Sequence, residues 1–479
     1  MLNLPRQKIV RPNNLSKIVS LLKSANKSKT PIFPVSGGKN WGYELSQLKK
    51  KGIILDLSKL NKIIDYNEQL AYVTVEPGVT FEKLFNFLKK KKSRLMLTTT
   101  GASPKSSLIG ATVERGIGRG FYPKRNEYVC GFEIVLPNGK VINTGMKPFG
   151  GELLSHVFKE GIGPDFSGLF LQSNLGIVTK MTIWLAPMPD FIRTFSCHIK
   201  NESNLPGLID NLRVLKFKDL IKGNFFFAND YKILASKQQY PWKEMKNKTP
   251  LNDKTLNRLK SRWGIKGGFT IEGMIASTDK KDANYKTKTI KTSLKSMVFD
   301  LRFSNLFPTK ALYFFKYDQH NLPGIPSEEA LLSIYWRKKI KVPEDINPWR
   351  DKCGIMWIGL VSPLLGEVMT KTIKEIKRVF VKYAFEPNIG FNLATDRAAY
   401  IIVAILYDKE VKGEDKRASK CYKETITALK KYGILPYRLT TESMNLIEPD
   451  KEYISLLRSL KKLVDPNNIL APGRYDFTS

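Results

Sequence analysis

Residues 31–43, PIFPVSGGKNWGY, carry an apolar, strand-like run that breaks into Ser36, Gly37, Gly38, Lys39 and Asn40. Adjacent glycines after a strand let backbone N–H groups turn inward and approach an anion closely. A second small, polar, glycine-rich stretch, residues 97–120 (LTTTGASPKSSLIGATVERGIGRG), follows about sixty residues later. It offers Gly101, Ser103, Ser106, Ser107 and Gly110 as further backbone and hydroxyl donors. Either loop alone reads as an ordinary polar turn. Together they suit a cradle for a large phosphorylated cofactor, because a pyrophosphate is held by aimed donors more than by bulk cations. The spacing excludes a single Rossmann unit, whose glycine fingerprint falls within about 30 residues.

The elements that must carry these loops follow from periodicity. Leu15, Ile18, Val19 and Leu22 share one helical face, as do Phe81, Leu84, Phe85 and Leu88. GIILDL (52–57) and AYVTVEPGV (71–79) read as strands, and Pro137-Asn138-Gly139 predicts a hairpin turn. After Pro187-Met188-Pro189 the texture changes: residues 190–432 lose the glycine-rich loops and gain charged helices. Ile373, Ile376 and Phe380 line one such helix, and YIIVAILY (400–407) reads as a buried strand. The fold class is α+β, in segments 1–189, 190–432 and 433–479.

A chain of 479 residues, 42% hydrophobic, has room for two domains with a large core. No apolar h-region opens it, and its longest apolar run is too short to span a membrane. Cys130, Cys197, Cys353 and Cys421 are scattered without a CxxC, and the three histidines are His156, His198 and His320. Neither a metal site nor a covalent haem is implied, and a reduced, cytoplasmic protein is the expectation. The net charge of +35, with clusters at Lys49–Lys51 and Lys89–Lys92, reads either as a lysine-rich surface set by biased composition or as a field that attracts an acidic electron-acceptor protein.

The two loops, together with VTVEPGVTFEKL (73–84), GFEIVLPNGKVINTG (131–145), GPDFSGLFLQSNLGIVTKMTIWLAP (163–187), Tyr437-Arg438 and VDPNNILAPGRY (464–475), resemble the vanillyl-alcohol oxidase / p-cresol methylhydroxylase family. These FAD enzymes oxidise para-substituted phenols. The resemblance implies a two-part PCMH-type FAD-binding domain, 1–189 and 433–479, around a cap domain, 190–432, of antiparallel sheet flanked by helices. It implies FAD contacts at Gly176 and Ile177 besides the two loops, and a homodimer. It also implies a phenolate clamp of Tyr43, Tyr437 and Arg438, which would lower the bound phenol's pKa and favour hydride loss from the para side chain.

Two departures qualify that picture. The family often tethers FAD through a histidine or tyrosine in the cap; CGIMWIGLVSP (353–363) holds neither, with Trp357 or Ile358 nearest, so FAD is expected to be non-covalent. The family's acid beside the flavin falls at Ala102 or Ser103, and residues 94–113 contain no Asp or Glu. Arg119 stands where an aromatic residue is usual, suited either to a reduced flavin or to an acidic group on the substrate. Beside phenol oxidation stand two other readings: FAD-dependent oxidation of a non-phenolic alcohol or 2-hydroxy acid, and a non-catalytic basic binding protein.

Overall fold

The computed structural model describes residues 8–43, 51–221, 225–309 and 324–477; Lys49, Lys50 and His320 lie outside them. The first layer is a small parallel sheet of β1 (Lys8–Val10), β2 (Ile32–Val35) and β3 (Ile53–Asp56), in the order β1-β3-β2. Helix α1 (Leu15–Ser28) packs Ile18, Leu22 and Ala25 against it, and Asn14 caps the helix by accepting the Lys17 N–H. A second, five-stranded sheet contains β4 (Ile63–Asn67), β5 (Tyr72–Val75), β6 (Val129–Val135), β7 (Val141–Asn143) and β8 (Ile177–Trp184), in the order β4-β5-β8-β6-β7. The hairpin at 137–139 forms as expected, with Val135 opposite Val141. Helix α2 (Phe81–Lys90) buries Phe81, Leu84, Phe85 and Leu88 on this sheet. The short helix α3 (Leu108–Val113) rises from the second glycine-rich loop.

The later part is a nine-stranded antiparallel sheet. Its main strands are β9 (Phe191–Ile199), β10 (Phe226–Asn229), β11 (Phe269–Ser277), β12 (Val298–Phe303), β13 (Cys353–Pro363), β14 (Asn388–Asn392), β15 (Ala398–Asp408) and β16 (Leu435–Arg438). They run β12-β9-β11-β10-β14-β15-β13-β16, and Phe307–Pro308 also pairs with β9. One face is dry: Phe225, Phe227, Ile271, Ile358, Leu360, Ile389, Phe391, Ile401 and Val403 meet helices α4 (Leu205–Phe217), α6 (Lys280–Leu294), α7 (Gly366–Lys382) and α8 (Glu414–Lys430). The alternate residues on the same strands point the other way, toward the first domain. Helix α5 (Asp230–Lys237) lies on that inner side, between β10 and the inner wall.

The sequence reading returns the chain to the first domain at about Gly433. The structure instead keeps it in the large sheet through Arg438, because β16 pairs with the edge of β13. The return comes later, at α9 (Lys451–Val464) and the tail, where the Ile32 N–H donates to Ile469 O and the Ala471 N–H to Ile32 O. On α9 Tyr453 and Leu456 are exposed, Val464 packs against the core of the second sheet, and the buried residue is Lys461. Its ammonium donates to Asp465, Asn174 O and Leu470 O, which a hydropathy pattern cannot announce.

Candidate active site

The two glycine-rich loops and the inner face of the large sheet enclose a cavity of about 630 Å³. β2 ends in the first loop, and Ser36, Gly37, Gly38, Lys39 and Asn40 all line the cavity. The amides of Gly37 and Gly38 donate to no other described residue, and a Cβ added at either would meet nothing. Gly38 has φ +65, in the left-handed region that favours glycine. Unspent donors facing an open, enclosed space fit a pyrophosphate, so FAD and this loop suit each other.

The second loop divides. Gly101, Ser106, Ser107 and Gly110 line the cavity, as do Gly176 and Ile177 at the start of β8. Ser103 does not: its hydroxyl accepts the Lys105 N–H and its carbonyl the Ser106 hydroxyl, so it shapes the turn instead of facing a ligand. The Ser107 hydroxyl is also spent, donating to Pro77 O and accepting the Gly110 N–H as the cap of α3. Donation to a cofactor from this loop therefore falls to the backbone and to the Thr100 hydroxyl, which lines the cavity and accepts the Ala102 N–H. Arg125, unremarked in the sequence reading, ties the segment together by donating to Gly116 O and Thr99 O. Burial pushes its guanidinium down to about 10.

Tyr43, Tyr437 and Arg438 meet at the other side of the cavity. Strict strand alternation would send Tyr437 and Arg438 to opposite faces. A bulge prevents this: Gly359 pairs with Arg438 and Leu360 with Pro436, so Tyr437 has no opposite number. Gly359 leaves the space, since a Cβ there would lie 2.6 Å from Tyr437 Cε1 and 2.8 Å from the Tyr43 hydroxyl. The Arg438 guanidinium sits 4.1 Å from the Tyr43 ring centre. The first loop is fastened to the sheet by Trp357, whose indole donates to Trp41 O and whose amide donates to Gly42 O.

Electrostatics make this corner a donor site. Burial, reinforced by each other's proximity, raises the Tyr43 hydroxyl well above its ordinary range, and burial likewise raises Tyr437. Both stay protonated. Burial opposes the charge on Arg438, but Glu114 together with Tyr43, Tyr475 and Tyr437 outweighs it and keeps the guanidinium positive. Glu114 lies 3.2 Å from Arg438 Nε and also pairs with Arg474 and the Tyr475 hydroxyl. Arg438 Nε nevertheless has no aligned hydrogen-bond acceptor. The arrangement is two neutral hydroxyls and one cation side by side on the cavity wall, a donor set that suits an ionising phenol oxygen. Glu114, in the quoted run ATVERGIG, was missed as the residue that holds Arg438 in place.

Arg119 lies in the same cavity, held by reciprocal backbone bonds with Thr99 and lying 5.1 Å from the Phe226 ring centre. Lys232 from α5 and Glu272 from β11 also line it, and neither was singled out from the sequence. Cys353 is buried, and burial pushes its thiol up to about 12, the behaviour of a structural cysteine.

An FAD binding domain model matches residues 6–145. The chain is 38% identical to the 1'-carboxy-chondrochloren decarboxylase of Chondromyces crocatus, over 98% of this chain and 90% of that protein. It is 29% identical to the 4-cresol dehydrogenase [hydroxylating] flavoprotein subunit of Pseudomonas putida, over 97% and 87% of the two chains. The crystal structure of p-cresol methylhydroxylase with substrate bound is similar at a TM-score of 0.85 and 27% identity, covering 97% of this chain and 88% of that one.

Proposed function

We propose that this chain, which belongs to the vanillyl-alcohol oxidase / p-cresol methylhydroxylase family of FAD-dependent oxidoreductases, takes hydride from the para side chain of a 4-substituted phenol. The observation that carries the proposal is the bulge that turns Tyr437 and Arg438 together onto Tyr43. Bound FAD supplies the hydride acceptor. Tyr43 and Tyr437 donate to the phenol oxygen, and Arg438 stabilises its anion. Because the tyrosines resist ionisation, the substrate is the group that gives up its proton. Negative charge pushed into the ring weakens the para benzylic C–H bond, and the oxidised substrate is a quinone methide.

The quinone methide can accept water or lose a group from the next carbon. Similarity to a decarboxylase supports the second fate for a side chain bearing a carboxylate. The Pseudomonas relative is a flavoprotein subunit, and the net charge of +35 supports an acidic protein as electron acceptor. Among the described residues no helix is long and apolar enough to cross a membrane.

Anaerobic mixing with 4-ethylphenol tests the proposal. Bleaching of the flavin with 4-ethylphenol, but not with 4-ethylanisole, which cannot ionise, is the expected result. Faster bleaching by lactate than by any phenol would replace it with the 2-hydroxy-acid reading.

A further inference from the structure

We infer that Lys232, with Arg119 beside it, forms a carboxylate subsite two strands across the large sheet from the clamp, and that the side chain oxidised there is lost in part as carbon dioxide. This rests on the phenol reading. The inner face of the large sheet is laid out in rows across the strands. One row runs Gly359, Ile402, Gly390, Ala228, Thr270; the flanking row on one side runs Trp357, Ala404, Asn388, and on the other Tyr400, Asn392, Phe226, Glu272. The middle row is low at Gly359, Gly390 and Ala228, with Ile402 between the two glycines. Each glycine makes room for a polar side chain. The Tyr43 hydroxyl stands over Gly359, and Lys232 Cε stands over Gly390, 2.7 Å from where a Cβ would be. Gly390 has no positive φ, so its lack of a side chain serves the space the lysine occupies.

Gly359 and Gly390 are separated by β15, hence by two strand spacings of about 4.8 Å, or about 10 Å. In a 3-(4-hydroxyphenyl)propanoate the phenol oxygen and the carboxylate lie roughly 8 Å apart by standard bond lengths. A molecule of that length laid across Ile402 puts its oxygen at the clamp and its carboxylate at Lys232.

The charges at that end leave room for an anion. Lys237 pairs with Glu329 at 3.7 Å, and Arg119 acts on Glu272. Lys232 donates to the neutral Asn388 Oδ1 at 3.2 Å and lies 5.6 Å from the Trp357 ring centre. Among the described residues no carboxylate is within ion-pair distance of it. Enclosure, with Arg119 nearby, pushes its ammonium down to about 8, the mark of a cation short of a counter-charge. In the adjacent row Asn392 Oδ1 is buried without a hydrogen bond, an unspent acceptor for an N–H or O–H on the same side chain.

The chemistry balances. The dianionic substrate, phenolate and carboxylate, loses hydride from its benzylic carbon, the bound flavin being the oxidant. The carbon–carboxylate bond then breaks, its electron pair forms the new C=C bond, and the quinone-methide oxygen regains its charge at Arg438. Carbon dioxide and a 4-vinylphenolate result. Lys232 determines specificity: it holds the carboxylate in place, and the pull comes from the clamp.

The test uses the holoprotein with its flavin pre-reduced, so that no turnover occurs. 3-(4-Hydroxyphenyl)propanoate and 4-ethylphenol are titrated calorimetrically into wild type, Lys232→Met and Gly390→Ala. The alanine Cβ presses hardest on the flexible Lys232 chain, at 2.7 Å from Cε and 2.8 Å from Cδ, and lies 3.1 Å from Phe227 O, so it displaces the ammonium at the cost of a small backbone adjustment; 4-ethylphenol binding by the same variant checks that the site is otherwise kept. Both variants should lose roughly 10- to 100-fold in affinity for the acid, the value of a charge-assisted hydrogen bond, with less than about threefold change for 4-ethylphenol. With oxidised holoprotein and carboxyl-labelled acid, a single turnover should release one labelled carbon dioxide per flavin reduced. Wild type that binds 4-ethylphenol but rejects the acid, equal losses for both ligands, or label retained in the product would overturn the subsite alone. Binding of neither ligand would overturn the phenol reading and the subsite with it.

Discussion

Replacing Arg438 with Met should raise the pKa of a phenol bound at the clamp by about 1–2 units. The magnitude follows from the site's composition. Tyr43 and Tyr437 remain neutral donors in the variant, so the loss is that of one charge-assisted interaction, about 1.5–3 kcal/mol. At about 1.4 kcal/mol per pKa unit, that is the stated shift. The fold should survive, because Glu114 keeps its second partner, Arg474, and the Tyr475 hydroxyl. The assay uses 4-bromophenol, which has no side-chain hydrogen to lose, and follows phenolate absorption of the bound ligand against pH. Wild type should ionise the ligand well below the ordinary phenol range near 10, and Arg438→Met should return the midpoint toward it. Arg438→Lys should fall between, since an ammonium carries the charge without the planar fork. An identical midpoint in wild type and Arg438→Met would refute the clamp, whatever the variant does to turnover.

Other consequences can be measured separately. Burial works against ionisation of Glu114, but Arg474, Arg438 and the Tyr475 hydroxyl outweigh it and hold its carboxyl below the usual range. Its stabilisation is thus present above the ordinary carboxylate pKa and lost as pH falls through the depressed value; Glu114→Gln should cost about 3 kcal/mol at pH 7 in denaturant unfolding and less at pH 4. Lys232 has the opposite economy: with its folded pKa near 8, the unfolded chain binds more protons between pH 8 and about 10.4, so wild-type stability rises there. Lys232→Met should lack that rise and melt roughly 1 °C higher at pH 7, the shift that about 1 kcal/mol produces in a chain of 479 residues. Gly42, with φ +86 and an added Cβ only 2.3 Å from Trp357 Cδ1, should tolerate Ala poorly; weaker flavin retention in a fluorescence titration is expected, at about 1–3 kcal/mol of strain. Acid precipitation should release the yellow colour into the supernatant, because strand Cys353–Pro363 offers no His or Tyr for a tether.

What was legible in the chain depended on how local the cause was. Strands, the 137–139 hairpin and the amphipathic helices follow from short-range periodicity and appear where expected. The glycine-rich loops are also local, so their lining of one cavity was readable, although Ser103 was not separable from its neighbours: hydroxyls that face a ligand and hydroxyls that close a turn look alike in sequence. Tyr437 and Arg438 were found only through resemblance. Their joint orientation depends on a bulge against β13, a register shift that no pattern within residues 435–438 reveals. Lys232 was invisible for the same reason. Its environment is set by Gly390, Asn388 and Trp357, which lie on two strands far along the chain, and on its own helix it is one of two lysines, Lys232 and Lys237, that nothing local tells apart. Gly390 makes the contrast sharp: in sequence it is a glycine inside a strand, nominally a weakness, and across the sheet it is the place where a lysine crosses the floor of the cavity.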